Sequence, residues 1–181
     1  MQDGPEQVAA IALGSNVGDR RANLAGAVAA IARVPRTTLV ATSEMIETEP
    51  EGPIVQEKFL NAAVLVRTGL GPMDLLRALH AIERSFGRDR STNIRFGPRT
   101  LDLDLIVHGG SVIAVPELSL PHPRAHERGF VLEPLASIAP DLVIPGRGAV
   151  RQLLTDLRIR MNAAVVQTKD HPGDVEPCER A

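Results

Sequence analysis

The sequence contains no tryptophan and no tyrosine, and its only aromatic residues are four phenylalanines. Proteins that hold single-stranded nucleic acid stack the bases on aromatic side chains, and this chain has few such platforms. Its formal net charge is −2, so there is no excess of basic residues to attract a phosphate backbone. We therefore expect no nucleic-acid partner.

The chain has a single cysteine, Cys178, which excludes an internal disulfide and a cysteine-based metal cluster. It also lacks an apolar run long enough to cross a membrane, and its first residues lack the basic and apolar regions of a secretory signal. These absences predict a cytoplasmic protein without a membrane partner. The length of 181 residues suits one domain, predicted over 1–166. The polar, proline-rich residues 167–181 predict a disordered tail.

Apolar, β-branched segments and segments of helical periodicity follow one another in the order β-α-β-β-α-β. The predicted core elements are strand 8–14, helix 21–33, strand 37–48, strand 59–67, helix 72–87 and strand 101–107. This order predicts an α+β fold of the ferredoxin-like type, an antiparallel sheet with helices on one face. We expect three additions: an extra edge strand at 111–115, a short helix at 130–138 and a C-terminal helix at 151–165.

Two aspartates, Asp102 and Asp104, lie two residues apart in the last predicted core strand and therefore share one face. Such a pair either forms an acidic side of the strand that faces solvent or provides carboxylate ligands for Mg²⁺. A Mg²⁺ ion bound in this way takes water and phosphate oxygens at its other coordination positions. The arginines of the preceding loop, 88–99, and Arg124 and Arg128 favour the second interpretation. Guanidinium groups match phosphate oxygens in pairs, so the cluster is typical of a phosphate site.

Several familiar phosphate-transfer motifs are absent, including G-x-x-x-x-G-K-[ST] and the protein-kinase set. His122 and His126 are four residues apart, but Pro123 disfavours a zinc-binding helix, and His122 is a better candidate for a phosphate donor. Asn61 is polar within an apolar strand, where it either bonds the backbone or recognises a polar ligand through its amide. Glu83 taken alone belongs to the polar face of its helix.

Four segments together resemble the 6-hydroxymethyl-7,8-dihydropterin pyrophosphokinases of folate synthesis. They are ALGSNVGDRRANL (12–24), FLNAAV (59–64), ERSFGRDRSTNIRFGPRTLDLDLI (83–106) and LPHPRAHERGFVLEPL (120–135). The resemblance implies a ferredoxin-like fold and a monomeric enzyme. It also implies transfer of a pyrophosphoryl group from ATP to the pterin hydroxymethyl group, with release of AMP.

The same resemblance implies roles for individual residues. Asp102 and Asp104 resemble the ligands of two Mg²⁺ ions that bridge the phosphates. The residues that resemble the family's ATP and catalytic contacts are Glu83, Arg88, Arg99, His122 and Arg128. Those that resemble its pterin contacts are Thr48, Phe59, Asn61 and Phe130.

The chain departs from the family pattern at a few positions, and functions other than that of the family remain to be considered. Phe96 stands where relatives often have tryptophan, and Glu49 and Glu51 make the 49–58 loop acidic where relatives tend to be apolar. A non-catalytic ferredoxin-like ligand-binding module would use the aspartates only as an acidic face. A one-phosphate kinase would make ADP instead of AMP, and an RNA-binding module is opposed by the scarcity of aromatic residues.

Overall fold

The structure, a computed structural model, describes residues 5–88 and 97–169, with side chains as far as residue 163. Its centre is a five-stranded antiparallel sheet. The strands are β1 (Gln7–Ser15), β2 (Thr37–Thr42), β3 (Ile46–Thr48), β4 (Phe59–Thr68) and β5 (Asp102–His108). They are arranged in the order β2-β4-β1-β5, and β3 also pairs with β4.

Two helices, α1 (Arg20–Ile31) and α2 (Pro72–Ser85), make the crossover connections of this sheet. The Asp19 carboxylate accepts a hydrogen bond from the Ala22 backbone N–H and caps α1, while Pro72 begins α2 at a position where its missing N–H costs nothing. Both helices pack on one sheet face. The fully buried residues of that layer include Ile11, Leu24, Ile31, Val64, Leu75 and Leu79. The predicted α+β fold with a ferredoxin-like element order is confirmed.

The prediction that the helices of the core pattern lie on one face therefore holds for α1 and α2, but the second face of the sheet is covered as well, by added helices whose position the sequence did not predict. Helices α3 (Gly129–Ile138) and α4 (Val150–Lys169) pack there. Strands β1 and β4 contribute small apolar residues to this face, among them Ala10 and Ala63, and these let α3 approach closely. The near-continuous apolar character of both strands is the pattern of a sheet buried on two sides.

The predicted extra edge strand forms at Ile113–Val115 (β6), but it does not join the main sheet. It pairs with β7 (Leu118–Leu120) across a two-residue turn, because a partner so near in sequence costs little loop entropy. The predicted strand 37–48 is interrupted between β2 and β3, where the Ser43 hydroxyl accepts from the Ala63 N–H. A further hairpin joins β8 (Val143–Ile144) to β9 (Gly148–Ala149).

The C-terminal helix is longer than expected. Helix α4 continues to Lys169, so residues 167–169 are helical where the tail was expected to begin. Residues 170–181 lie outside the described residues, and the tail and the domain boundary stay predictions. Over the described ranges, no helix is long and apolar enough to cross a membrane.

If α3 is an integral layer of the core, replacing Leu132 with Ala should lower the free energy of unfolding by about 2–5 kcal/mol. Leu132 is 0% exposed and packs against the second sheet face. Val112→Ala is the matched control, because Val112 is 76% exposed, and it should change stability by less than about 0.5 kcal/mol. Urea denaturation measures both, and equal effects would mean that α3 contributes little to the core.

Candidate functional site

The candidate site lies at one end of the main sheet, where strand register brings distant residues together. Gly14 near the end of β1 pairs with Asn61 of β4 on one side and with Asp102 of β5 on the other. A Cβ atom at Gly14 would lie 3.1 Å from Asn61 Oδ1 and 3.7 Å from Phe59 Cδ1. Because Gly14 has no side chain, the surface of the sheet at this position, which we call the floor of the site, has room for a ligand between the side chains of Asn61 and Asp102.

A cavity of about 250 Å³ opens above this floor. Its walls come from β1, β3, β4 and β5, from the loop 49–58, from the segment before β5, and from the start of α3 together with the segment that precedes it. The side chains that line it include Thr48, Glu49, Glu51, Gln56, Phe59, Asn61, Arg99, Asp102, Asp104, Arg124, Arg128 and Phe130. One part of the cavity is thus aromatic and amide-bearing, and another part is charged.

The aromatic part contains an oriented amide. Asn61 is 5% exposed, and its Nδ2 donates a hydrogen bond to the Thr48 Oγ1 at 2.7 Å. This bond holds the amide plane and leaves Oδ1 beside Gly14. Phe59 and Phe130 line the same cavity. A flat, polar-edged ring would find apolar surfaces and hydrogen-bonding groups here.

The charged part is organised around Asp102, which lies between two arginines. Arg88 Nη1 donates to one carboxylate oxygen and Arg99 Nη1 to the other. Burial opposes ionisation of Asp102, but the two guanidinium groups outweigh it and lower the pKa of this carboxyl below its ordinary value. Asp102 is therefore a fully charged group at neutral pH.

Glu83 anchors this arrangement from behind. It is 1% exposed, and its Oε1 accepts from Arg88 Nη1 at 2.8 Å and from the Leu103 backbone N–H at 2.9 Å. The contact joins the end of α2 to β5. Glu83 thereby fixes the position of Arg88 relative to Asp102.

Asp104 lies in a different environment, although it shares the strand face with Asp102. Burial and the neighbouring Asp102 carboxylate raise its pKa to about 6, and the positive charges of Arg128, Arg99 and Arg88 offset this only in part. The protein itself therefore leaves the negative charge of Asp104 poorly compensated. A cation at this position would remove the imbalance.

Asn16, in the GSN segment after β1, connects the loop 49–58 to the charged part. Its Nδ2 donates to Gln56 Oε1 at 2.9 Å and to the Glu57 carbonyl at 3.1 Å, while its Oδ1 accepts from the Arg99 backbone N–H at 2.7 Å. Asn16 is 4% exposed. Sequence reasoning gave it no role, although its place in a GSN motif was the available signal.

His122 lies at the edge of this charged part, after β7. Burial and the positive charge of Arg128 lower the pKa of His122 to about 4, so its imidazole is neutral at pH 7. Its Nδ1 accepts a weak hydrogen bond from the Arg124 backbone N–H at 3.3 Å. A neutral imidazole in this position can donate one N–H to an anion.

The structure brings most of the sequence-predicted site residues to this cavity. Those that line it are Thr48, Phe59, Asn61, Arg99, Asp102, Asp104, Arg128 and Phe130. Three others, Glu83, Arg88 and His122, are not part of its lining, but each contacts Asp102 or the strand that carries it. Their roles toward a ligand stay predictions. The lining residues that sequence reasoning had not assigned to a ligand include Gly14 and Gln56.

Taken together, the fold and the cavity define a ferredoxin-like α+β domain with a ligand site made of an aromatic part and a charged part. Comparison with known proteins gives the particular family. Residues 10–140 match the family described as 7,8-dihydro-6-hydroxymethylpterin-pyrophosphokinase (HPPK). The chain belongs to this family and is therefore an enzyme, a pyrophosphokinase.

Individual relatives agree with this assignment. The chain is 44% identical over 144 residues to the 2-amino-4-hydroxy-6-hydroxymethyldihydropteridine pyrophosphokinase of Pseudomonas aeruginosa, a match that covers 80% of this chain and 88% of that protein. It is 46% identical over 147 residues to the enzyme of the same name from Methylorubrum extorquens, covering 81% of this chain and 91% of the relative.

Solved structures show the same fold. The crystal structure of Plasmodium falciparum HPPK-DHPS with pteroate matches with a TM-score of 0.70 at 14% sequence identity. The match covers 92% of this chain but only 45% of that longer protein. At this identity the likeness shows a shared fold, in which this chain corresponds to less than half of the solved protein.

The two aspartates should have opposite effects on the stability of the ligand-free protein. Asp104→Asn should raise the free energy of unfolding by about 1–3 kcal/mol at pH 8, because it removes a carboxylate whose ionisation the fold disfavours. Asp102→Asn should lower it by about 3 kcal/mol, because Arg88 and Arg99 lose their shared counter-charge. Urea denaturation without divalent cations measures both.

The pH dependence gives an internal control for Asp104. Its raised pKa means that the folded state binds the proton more tightly, so the carboxyl favours folding below pH 3.8 and loses this contribution as the pH rises through about 6. The advantage of Asp104→Asn over the wild type should therefore shrink between pH 8 and pH 4. An advantage that is independent of pH would contradict the assignment.

Protonation of His122 should lower the stability of the folded protein at acid pH, whereas protonation of Asp104 favours folding there. Its pKa of about 4 in the folded protein lies below the ordinary 6.5, so the unfolded chain binds a proton that the folded chain refuses. From pH 7 to pH 4, the wild type should lose up to about 3 kcal/mol of stability relative to His122→Gln. Parallel denaturation series measure the difference, and a flat difference would mean that His122 titrates normally.

Proposed function

We propose that the protein transfers the pyrophosphoryl group of ATP to 6-hydroxymethyl-7,8-dihydropterin, giving AMP and the pterin diphosphate, as a step of folate biosynthesis. The observation that carries this proposal is the strand register at Gly14, which sets the amide of Asn61 and the carboxylate of Asp102 on either side of one glycine. A ring bound at the amide would present its substituent toward the charged part of the cavity. The bacterial relatives carry the name of this activity.

The pterin ring is proposed to bind between Phe59 and Phe130, with its polar edge toward Asn61 and Thr48. A pterin edge alternates donors and acceptors, and the Asn61 amide offers both. The Thr48 bond to Asn61 Nδ2 fixes which way the amide faces. Leaving a buried amide without a hydrogen-bond partner costs free energy of binding. This contact therefore favours a pterin over an apolar ring.

The ATP phosphates are proposed to bind among Arg88, Arg99, Arg128 and His122. Among the residues that the structure describes, no acceptor reaches the buried Nε atoms of these three arginines. Arg99 and Arg128 line the cavity, and guanidinium groups with unused donors there suit phosphate oxygens, which they engage in pairs. Because Arg99 and Arg88 also hold Asp102, the phosphate contacts and the carboxylate are positioned by the same side chains.

Mg²⁺, proposed as two ions, would be held by Asp102 and Asp104. The described residues contain no cluster of three or more histidine, cysteine or acidic side chains. Two carboxylates on one strand face still suit Mg²⁺, which takes its remaining ligands from phosphate and water. The undercompensated charge of Asp104 fits such a cation. When bound, Mg²⁺ supplies positive charge that neutralises the phosphate oxygens.

In the proposed reaction, the pterin hydroxymethyl oxygen forms a bond to the β-phosphorus of ATP. The bond between that phosphorus and the oxygen bridging to the α-phosphorus breaks, AMP leaves with the bridging oxygen, and the hydroxyl proton is released. Such transfers depend on alignment and on charge stabilisation. Asn61 aligns the acceptor ring, and the arginines hold the phosphate chain. We further propose a monomer that acts in the cytoplasm without nucleic acid.

Incubation with ATP, Mg²⁺ and 6-hydroxymethyl-7,8-dihydropterin should give AMP and pterin diphosphate in equal amounts, and only when Mg²⁺ is present. Asp102→Ala and Asp104→Ala should each reduce kcat by about 10²–10³-fold or more, whereas Asn61→Ala should mainly raise KM for the pterin. Asp156→Ala on the exposed side of α4 is the matched control and should be neutral. Nucleotide chromatography measures the products.

The alternatives give different results in the same assay. ADP in place of AMP would establish a one-phosphate kinase. Pterin binding without turnover in a folded protein, and without any effect of Mg²⁺, would indicate a binding module.

A further inference from the structure

The loop 49–58 forms one wall of the cavity, and two of its acidic side chains, Glu49 and Glu51, line it. A salt bridge of 2.6 Å between Lys58 Nζ and Glu49 Oε1 ties the two ends of this loop together. Its second half is held by the Asn16 contacts, which reach Gln56 and the Glu57 carbonyl. Among the residues that the structure describes, no comparable side-chain contact joins its first half to β1, and this half carries Glu51, which lines the cavity.

Glu51 faces two arginines at once. Its Oε2 lies 3.5 Å from Arg124 Nη2 and 3.5 Å from Arg128 Nη2. These contacts cross from the loop to the segment before α3, and so they tie the first half of the loop to the opposite wall. One carboxylate therefore serves as the shared counter-ion of an arginine pair.

The same arginine pair belongs to the charged part of the cavity. The Arg128 guanidinium lies 5.3 Å from the centre of the Phe130 ring, and its side chain is 16% exposed. Arg128 is also a proposed ligand of the ATP phosphates. A phosphate chain and Glu51 are both anions, so they compete for these guanidinium groups.

We propose that Glu51 is an internal competitor of the nucleotide: it neutralises Arg124 and Arg128 in the ligand-free enzyme, and the nucleotide phosphates displace it and release the first half of the loop. This inference rests on the proposed function, because it takes the phosphate chain to bind at Arg128. Glu51 is then a positioning residue that links nucleotide binding to the state of the wall beside the pterin.

The expected effect is moderate, because both contacts are 3.5 Å long and Glu51 is partly exposed. Partly exposed ion pairs contribute little each, so losing two of them should strengthen phosphate binding by about three- to tenfold. The gain should shrink as salt concentration rises, because exposed charges are screened.

Calorimetric titration of Glu51→Gln and wild type with inorganic tripolyphosphate tests the competition directly. This probe has the phosphates but no base or sugar, so it reports only on the side chains proposed to bind phosphate. Glu51→Gln should bind it about three- to tenfold more tightly. Glu57→Gln, with the same charge change on the exposed part of the same loop, should bind like the wild type.

A double-mutant cycle identifies the partner. In an Arg124→Gln background, part of the gain from Glu51→Gln should disappear, because one of its two partners is already gone. In steady-state kinetics, Glu51→Gln should lower KM for ATP more than it changes kcat or KM for the pterin. A purely structural role would not separate these constants.

Hydrogen exchange of the peptide over residues 49–55, followed by mass spectrometry, tests the release of the loop. Exchange should be faster in Glu51→Gln than in the wild type, and tripolyphosphate should speed it in the wild type but not in the variant. Slow, unchanged exchange in Glu51→Gln would overturn the tether.

The remaining outcomes separate the two proposals. Equal affinity of wild type and Glu51→Gln for tripolyphosphate would overturn the competition while leaving the nucleotide site intact. Failure of both proteins to bind tripolyphosphate and ATP would overturn the phosphate site of the proposed function, and the competition with it.

Discussion

The charged part of the site depends on one carboxylate held between two guanidinium groups. Asp102 pairs with Arg88 and Arg99, and Arg88 is in turn held by Glu83 at the end of α2. Three parts of the chain, namely α2, the segment before β5 and β5 itself, therefore meet at a single acidic group. The low pKa of Asp102 keeps that group charged, and this charge holds the two arginines beside the cavity.

The negative charge of the second carboxylate, Asp104, is only partly compensated by this arrangement. Burial and the neighbouring Asp102 carboxylate raise the pKa of Asp104, and the nearby arginines offset this only in part. A fold optimised only for stability would have a neutral side chain here, since an undercompensated buried charge is unfavourable. Sites that bind charged ligands commonly carry such imbalance, which the ligand or its cation removes. Glu51 is the reverse case, because its carboxylate pairs with Arg124 and Arg128, two cationic groups that a phosphate chain is proposed to occupy.

The aromatic part of the site depends on a glycine in β1. Gly14 has no side chain, so the amide of Asn61 and the ring of Phe59 can lie close to β1. The Asn16 side chain then links the Arg99 backbone to the 49–58 loop, so the two parts of the cavity share a wall. The Asn16 side chain therefore joins the two parts of the cavity in which the two ligands are proposed to bind.

The sequence by itself determined the order of the core elements, the ferredoxin-like class and the family, because hydrophobic periodicity and short motifs such as the one around Asp102 are local signals. The position of Gly14 between Asn61 and Asp102, the burial of Glu83 and the pairing of Glu51 with Arg124 and Arg128 were decided only by the tertiary structure. So were the second helix layer and the separate β6-β7 hairpin. Most of these features depend on contacts between residues that are far apart in sequence. Local patterns do not specify such contacts, because strand register and side-chain packing depend on how the whole chain folds together.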